Sequence, residues 1–228
     1  MSRANAPILF HCVYGHLSYS WAQNRTIGAV NIFVTGTDTD VGKTTIAAWI
    51  CQHVGAAYWK PIQTGNTLDS ETVKNLSPHT KIMGEVYRLS APLSPYNAAE
   101  IDNISIDGGL FKRQIDNTVI EGAGGILVPI KPGFYMVDLI KLFNAKAIVV
   151  AKSKLGVINH ILMTVEVLKT RKVDILGIII NGDMEENIRE TIELFSGLKI
   201  LANIPYGNDL NGTLRSIRVP SEIREVFG

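Results

Sequence analysis

The chain has 228 residues, a formal net charge of +1, 46% apolar and 19% charged residues, which suits one domain with a substantial core and excludes an intrinsically disordered chain. Near-zero net charge removes the electrostatic case for nucleic acid or a membrane surface as partner; two cysteines cannot make a disulfide framework, and no CxxC or Cys/His cluster points to zinc. Apolar runs such as Ala147–Ala151 fall far short of the ~20 residues that span a bilayer, so a soluble, cytoplasmic protein is expected.

Residues 1–30 contain no Asp or Glu, carry Arg3 and Arg25, and hold an apolar patch over Pro7–Tyr14. They read as an N-terminal extension without identifiable chemistry, followed by a single domain over residues 31–228. Asn31–Thr35 is a β-rich run that stops at Gly36, as a strand entering a tight turn does. Thr44–Val54 reads as a helix, with Ile46, Ala47, Ile50 and Val54 at core-facing spacing. A second strand closes at Tyr58-Trp59-Lys60, and Ser70–Leu76 looks helical. Ser77–Asp116, with Pro78, Pro92, Pro95 and Gly108-Gly109, yields no clear element. Beyond it, Thr118–Glu121, Lys146–Ala151, Ile175–Ile180 and Lys199–Ile204 are short buried-strand runs. Met136–Phe143, Asn159–Lys172 and Glu185–Phe195 carry helical periodicity between them. Continuously apolar strands interleaved with helices predict a doubly wound α/β fold, a mainly parallel sheet covered on both faces.

Gly36-Thr-Asp-Thr-Asp-Val-Gly42-Lys43-Thr44 fits G-x-x-x-x-G-K-[ST] between a predicted strand and a predicted helix, the setting of a phosphate-binding loop. The glycines let consecutive N–H groups curl around an anion, and the helix start adds its positive dipole end. Lys43 would then reach the β- and γ-phosphates of a nucleoside triphosphate, and the Thr44 hydroxyl would ligate Mg²⁺. Asp38 and Asp40 lie inside this loop, where their charges oppose a polyphosphate. They make chemical sense if one of them meets Mg²⁺ or a cationic second substrate, and otherwise they face water.

In an open parallel sheet, ligands collect outside the carboxyl ends of the strands. Lys60 stands at such an end and could neutralise charge developing on a transferred phosphoryl group, although a surface lysine would read alike. Thr64, in Lys60-Pro61-Ile-Gln-Thr64-Gly65, could donate to the same group or merely shape a turn. Glu121 ends an apolar run before Gly122-Ala-Gly124-Gly125, the Walker-B arrangement that holds Mg²⁺ directly or through water. Asp69 precedes the helical-looking Ser70–Leu76 and on its own reads as a helix cap.

Taken together, Thr35–Thr45 (TGTDTDVGKTT), Lys60–Gly65 (KPIQTG), Glu121–Gly125 (EGAGG), Lys154–His160 (KLGVINH) and Ile204–Tyr206 (IPY) resemble dethiobiotin synthetase, in that family's order. The resemblance implies ATP-dependent closure of a cyclic urea on 7,8-diaminononanoate with CO₂ and Mg²⁺, through a carbamate and its phosphorylated anhydride, in biotin biosynthesis. It implies Lys43 and Lys60 as the catalytic lysines, and Thr44, Asp69 and Glu121 as metal ligands. It implies an ATP site of Asp40, Val41, Gly42, Lys43, Thr44 and Thr45, with Asn181 reading adenine and Pro205 and Tyr206 lining the base pocket. For the diamine substrate it implies Thr39, Asp40, Lys60 and Thr64. Gly156, Val157 and Asn159 would receive the substrate's carboxylate tail across a homodimer, with Asn159 capping the helix over Ile161–Lys172. Read without the family, Gly156–Asn159 is a plain helix start.

The chain departs from the family core in residues 1–30, in Gly108-Gly109, where a helix is expected, and in the short polar stretch Gly207–Gly212 after Tyr206. Three other readings compete. A partitioning or metal-insertion ATPase of the same sheet topology would carry an extra lysine early in the loop, where this chain has Thr37. An amidotransferase synthetase half would need a glutaminase domain that the length leaves no room for. The third is a fold retained for binding without chemistry.

Overall fold

The computed structural model describes residues 31–113 and 115–228. The reading of residues 1–30 as an extension lies outside the described residues. Strand β1 (Asn31–Gly36) is buried throughout and leads into helix α1 (Lys43–Val54). Short strands β2 (Ala57–Trp59) and β3 (Ile62–Thr64) flank Lys60-Pro61, and helix α2 (Asp69–Leu76) follows. The stretch that yields no element from sequence holds β4 (Ile82–Met83), β5 (Tyr87–Leu89), helix α3 (Pro95–Ile101) and a 3-10 turn at Gly108–Phe111. Ser94 caps α3 by accepting from the Asn97 N–H, with Pro95 in the first turn, so one of the prolines that obscured the region marks a helix start. The Gly108-Gly109 pair opens the 3-10 turn, where the Gly109 N–H donates to the Asp107 carboxylate, and no longer helix forms there.

Strand β6 (Thr118–Gly125) corrects one boundary: Glu121 lies in its middle, because Gly122–Gly125 continue the strand instead of turning away. A hairpin of β7 (Pro129–Lys131) and β8 (Phe134–Tyr135) leads to α4 (Met136–Leu142), then β9 (Ala145–Lys152) and α5 (Val157–Thr170). The chain closes with β10 (Ile175–Asn181), α6 (Glu186–Ser196), β11 (Ile200–Ile204), α7 (Leu210–Ser216) and α8 (Ser221–Arg224).

The main sheet has seven strands in the order β11-β10-β9-β1-β6-β2-β4, every neighbouring pair parallel. Side chains alternate between its faces. Phe33, Trp59, Ile120, Val149 and Ile178 join one apolar cluster with α4 and α5, whereas Ile32, Val34, Tyr58, Val119 and Ile148 join another with Ile46, Trp49 and Ile50 of α1. The doubly wound parallel prediction is therefore met. The chain leaves β1 toward β2 on one side and returns through β9 on the other, so the carboxyl end of β1 is the topological switch point where open α/β sheets form their crevice. Residues 37–42 lie at that point.

One core position works against stability. Thr35 is fully buried, and its hydroxyl has no hydrogen-bond partner among the described residues. An unpaired buried hydroxyl costs about 1–3 kcal/mol, and valine has nearly the same shape. Thr35→Val is therefore expected to hold or raise the melting temperature. A thermal unfolding scan that shows a clear decrease contradicts this account of Thr35.

Candidate active site

Gly42 is the residue before α1, held at φ 97°, and its N-capping position leaves the first N–H groups of the helix turned toward the loop. A Cβ built on Gly42 would lie 2.2 Å from Nδ2 of Asn181, so only glycine permits both the left-handed backbone and this approach. Asp40 also adopts a positive φ of 56°, and Asp38, Thr39 and Asp40 are exposed on the outer rim of the loop. Val41 is buried against α1, and Thr45 is half-buried in its first turn. The Lys43 side chain is 94% buried, at 6% exposure, and its Nζ donates to the backbone carbonyl of Asp38 at 3.0 Å, across the loop it springs from. Burial pushes the Lys43 ammonium below the usual lysine range. Glu121 opposes that shift and Lys60 adds to it.

The floor of the site is a buried charge cluster built by β2, β6 and α1. Lys60 follows the register pair Trp59↔Ile120, which brings it beside Glu121. Its Nζ lies 3.4 Å from Glu121 Oε1 and makes a second ion pair with Asp69 Oδ2. Thr44 Oγ1 donates to the same Glu121 Oε1 at 2.9 Å, and the Tyr58 hydroxyl donates to Oε2 at 2.8 Å. Glu121 is only 1% exposed, so these donors replace the water that a carboxylate otherwise requires. Burial and the neighbouring Glu121 charge together hold the Tyr58 phenol well above its ordinary pKa, which keeps it a neutral donor.

Asp69 is the first residue of α2, and the capping position is Leu68, with no side-chain cap. Its carboxylate points instead to Lys60, which corrects the reading of Asp69 as a helix cap. Gln63 organises this corner. Its amide donates to the carbonyls of Thr64 and Thr67, and its oxygen accepts from the Asp69 N–H at 3.3 Å. Thr64 ends β3, half-buried, beyond Lys60 on the same loop.

On the other side of the P-loop-like turn, Asn181 ends β10 and donates to the Val41 carbonyl at 3.0 Å. Pro205 and Tyr206 follow β11, and the Tyr206 hydroxyl lies 3.4 Å from the Asn181 carbonyl. The Tyr206 ring lies against Gly182, where any Cβ would meet it at 2.7 Å, and Lys152 stands 5.9 Å from its centroid. Gly156 takes φ 90° before α5, which begins at Val157, earlier than periodicity suggested. Asn159 does not cap that helix. It lies inside the first turn, exposed, with its amide directed at the Met163 sulfur, because the left-handed Gly156 already makes the helix start. Lys154, just before this start, pairs with Asp38 at 3.6 Å and ties the β9–α5 loop to the glycine turn.

The structure thus brings Lys43, Thr44, Lys60, Asp69 and Glu121 into one cluster, with Asn181 in contact with the turn and Pro205 and Tyr206 beyond it. Gly156, Val157 and Asn159 stand apart at the helix start. Sequence reasoning missed Tyr58 and Gln63. Tyr58 sits in an apolar strand where an aromatic reads as core, and the sign that could have found it is its place two residues before Lys60, on the same face of the strand.

A family profile described as an AAA domain matches residues 30–213. The ATP-dependent dethiobiotin synthetase BioD of Paramagnetospirillum magneticum is 49% identical over 177 residues, covering 76% of this chain and 86% of the relative. The protein of the same description from Lawsonia intracellularis is 37% identical over 202 residues, covering 87% and 99%. Among solved structures, the signal recognition particle receptor FtsY from Elizabethkingia anophelis in complex with GDP superposes with a TM-score of 0.51 at 11% identity, covering 90% of this chain and 65% of that one, a likeness of fold. With a parallel sheet, a glycine turn at its switch point and relatives at this identity over most of both chains, the protein belongs to the ATP-dependent dethiobiotin synthetase family.

Proposed function

We propose that this chain is a dethiobiotin synthetase, converting 7,8-diaminononanoate, CO₂ and ATP into the cyclic urea dethiobiotin, ADP and phosphate. The observation that carries the reading is the pair of buried lysines, each 6% exposed, beside the glycine turn: Lys43 spans the loop to the Asp38 carbonyl, and Lys60 pairs with the carboxylates of Asp69 and Glu121. Two buried ammonium groups, with burial and the Lys60 charge both disfavouring the charged form of Lys43, suit a ligand whose anionic charge grows during the reaction.

One amine of the diamine adds to the carbon of CO₂ and loses a proton, giving a carbamate. Thr39 and Asp40, exposed on the loop rim, are suited to hold the amines, Asp40 as their counter-charge. A carbamate oxygen attacks the γ-phosphorus, and the bond to ADP breaks. Lys43 draws charge from the phosphates, while Lys60 and Thr64 steady the carbamate. The second amine then attacks the carbamoyl carbon, the C–O bond to phosphate breaks, and the urea ring closes. The backbone from Asp40 to Thr45 cradles the phosphates, and Asn181, Pro205 and Tyr206 face the base.

The donor set fits Mg²⁺. Thr44, Glu121 and Asp69 present oxygens only, and the Lys60 ammonium already bridges the two carboxylates, an arrangement suited to sharing a cation. Among the described residues no group of three His, Cys, Asp or Glu could hold a metal. Two carboxylates and a hydroxyl match an ion that takes its other ligands from water and phosphate. When bound there it supplies charge neutralisation on the β- and γ-oxygens.

Gly156, Val157 and Asn159 would receive the substrate carboxylate at the start of α5 in a homodimer. Leu155, fully exposed, and Met163, 54% exposed, support a partner surface beside that helix start. No helix of the described residues is long and apolar enough to cross a membrane. We place the enzyme in the cytoplasm and read residues 31–228 as its single catalytic domain.

The test is detection of dethiobiotin by mass spectrometry from purified protein with diaminononanoate, bicarbonate and Mg-ATP, omitting each component in turn. Product that requires all of them is expected. ATP hydrolysis without product would move the chain to the switch ATPases.

A further inference from the structure

Glu121 has two carboxylate oxygens, and the fold treats them differently. Oε1 faces Thr44 at 2.9 Å and Lys60 at 3.4 Å, on the side of the glycine turn. Oε2 accepts from the Tyr58 hydroxyl at 2.8 Å, on the side of the core. Tyr58 is fully buried, lies on the α1 face of β2, and pairs in register with Val119, two residues before Glu121 on the neighbouring strand. Its ring belongs to the apolar cluster that also holds Ile46, Trp49 and Ile50 of α1, and close packing there gives the hydroxyl one fixed address.

We propose that Tyr58 is a positioning residue for the metal site: by binding Oε2 it fixes the Glu121 side chain so that Oε1, beside Thr44, is the oxygen presented to the cation. This rests on the reading of Glu121 as a metal ligand. A ligating carboxylate held by a second hydrogen bond keeps its geometry without paying for it at each binding event, and such outer partners commonly contribute about 10–100-fold to metal affinity. The buried hydroxyl is spent on Oε2, on the core side of the carboxylate, away from the glycine turn. Its loss should therefore weaken the cation and leave the diamine's KM in place.

The probe is Mn²⁺, titrated by electron paramagnetic resonance into full-length protein saturated with a non-hydrolysable ATP analogue. Tyr58→Phe, which removes one oxygen, is expected to weaken Mn²⁺ binding about tenfold, raise the Mg²⁺ concentration for half-maximal turnover alike, and leave the diamine KM within about twofold. Glu121→Gln should weaken Mn²⁺ further, and the double variant should match Glu121→Gln, since Tyr58 acts through that carboxylate. A folded Tyr58→Phe protein with unchanged Mn²⁺ affinity, beside a weakened Glu121→Gln, overturns the role of Tyr58 and spares that of Glu121. Unchanged affinity in Glu121→Gln overturns both. Should Tyr58→Phe fail to fold, Tyr58→4-aminophenylalanine keeps ring and donor. Retained Mn²⁺ affinity there supports the proposal, and lost affinity in the folded protein overturns it.

Discussion

Lys60→Ala is expected to remove dethiobiotin formation, by at least about a hundredfold in kcat/KM, the usual cost of deleting one preorganised charge from a reacting centre. The side chain is the only cation in ion-pair contact with both Asp69 and Glu121 among the described residues. On the proposed mechanism, its loss takes from the carbamate and the departing phosphate the charge that grows most useful as the anhydride forms. The fold should persist. Glu121 keeps the Tyr58 and Thr44 hydroxyls as donors, so the stability loss stays below the ~3–5 kcal/mol that an abandoned buried ion costs. Lys60→Arg should rescue little, since a planar guanidinium does not fit the space of an ammonium packed at 6% exposure. Product formation and thermal melting measured on the same preparation separate the two effects. Full activity in a folded Lys60→Ala protein would sink the catalytic role.

How much of this was legible in advance depends on the range of the interaction. The strands around the glycine turn could be read because they are continuously apolar: Ile148, Val149 and Val150 need no partner to announce a buried parallel strand. The turn itself could be read because its chemistry is local, with glycine and lysine at fixed spacing. The stretch Ser77–Asp116 could not, because β4 and β5 are only two and three residues long and owe their form to β2 and β3 rather than to their own propensity. Read from its neighbours alone, Asp69 misled for the same reason. Its sequence neighbours make it look like a cap, and only the folded loop held by Gln63 turns its carboxylate toward Lys60. Tyr58 is the limiting case, an aromatic in an apolar strand whose polar end matters only once β2 and β6 lie side by side.

Gly42→Ala should couple two parts of the site that are far apart in sequence. The added methyl meets a backbone at φ 97°, a conformation that costs a non-glycine residue about 1–3 kcal/mol. It also lies 2.2 Å from Asn181 Nδ2 and 2.9 Å from Asn181 Cγ, so the amide must swing away and release the Val41 carbonyl that it holds at 3.0 Å. The loop then loses both the shape of its glycine turn and the brace that Asn181 gives it. Mg-ATP affinity, measured by calorimetry, is expected to fall at least about tenfold, or 1.4 kcal/mol, with only a modest change in melting temperature. The coupling has its own check. With Asn181→Ala in the background the steric part disappears, so Gly42→Ala should cost less there than in the parent chain. Equal losses in both backgrounds would mean that backbone strain alone carries the effect and that Asn181 gives the loop no support.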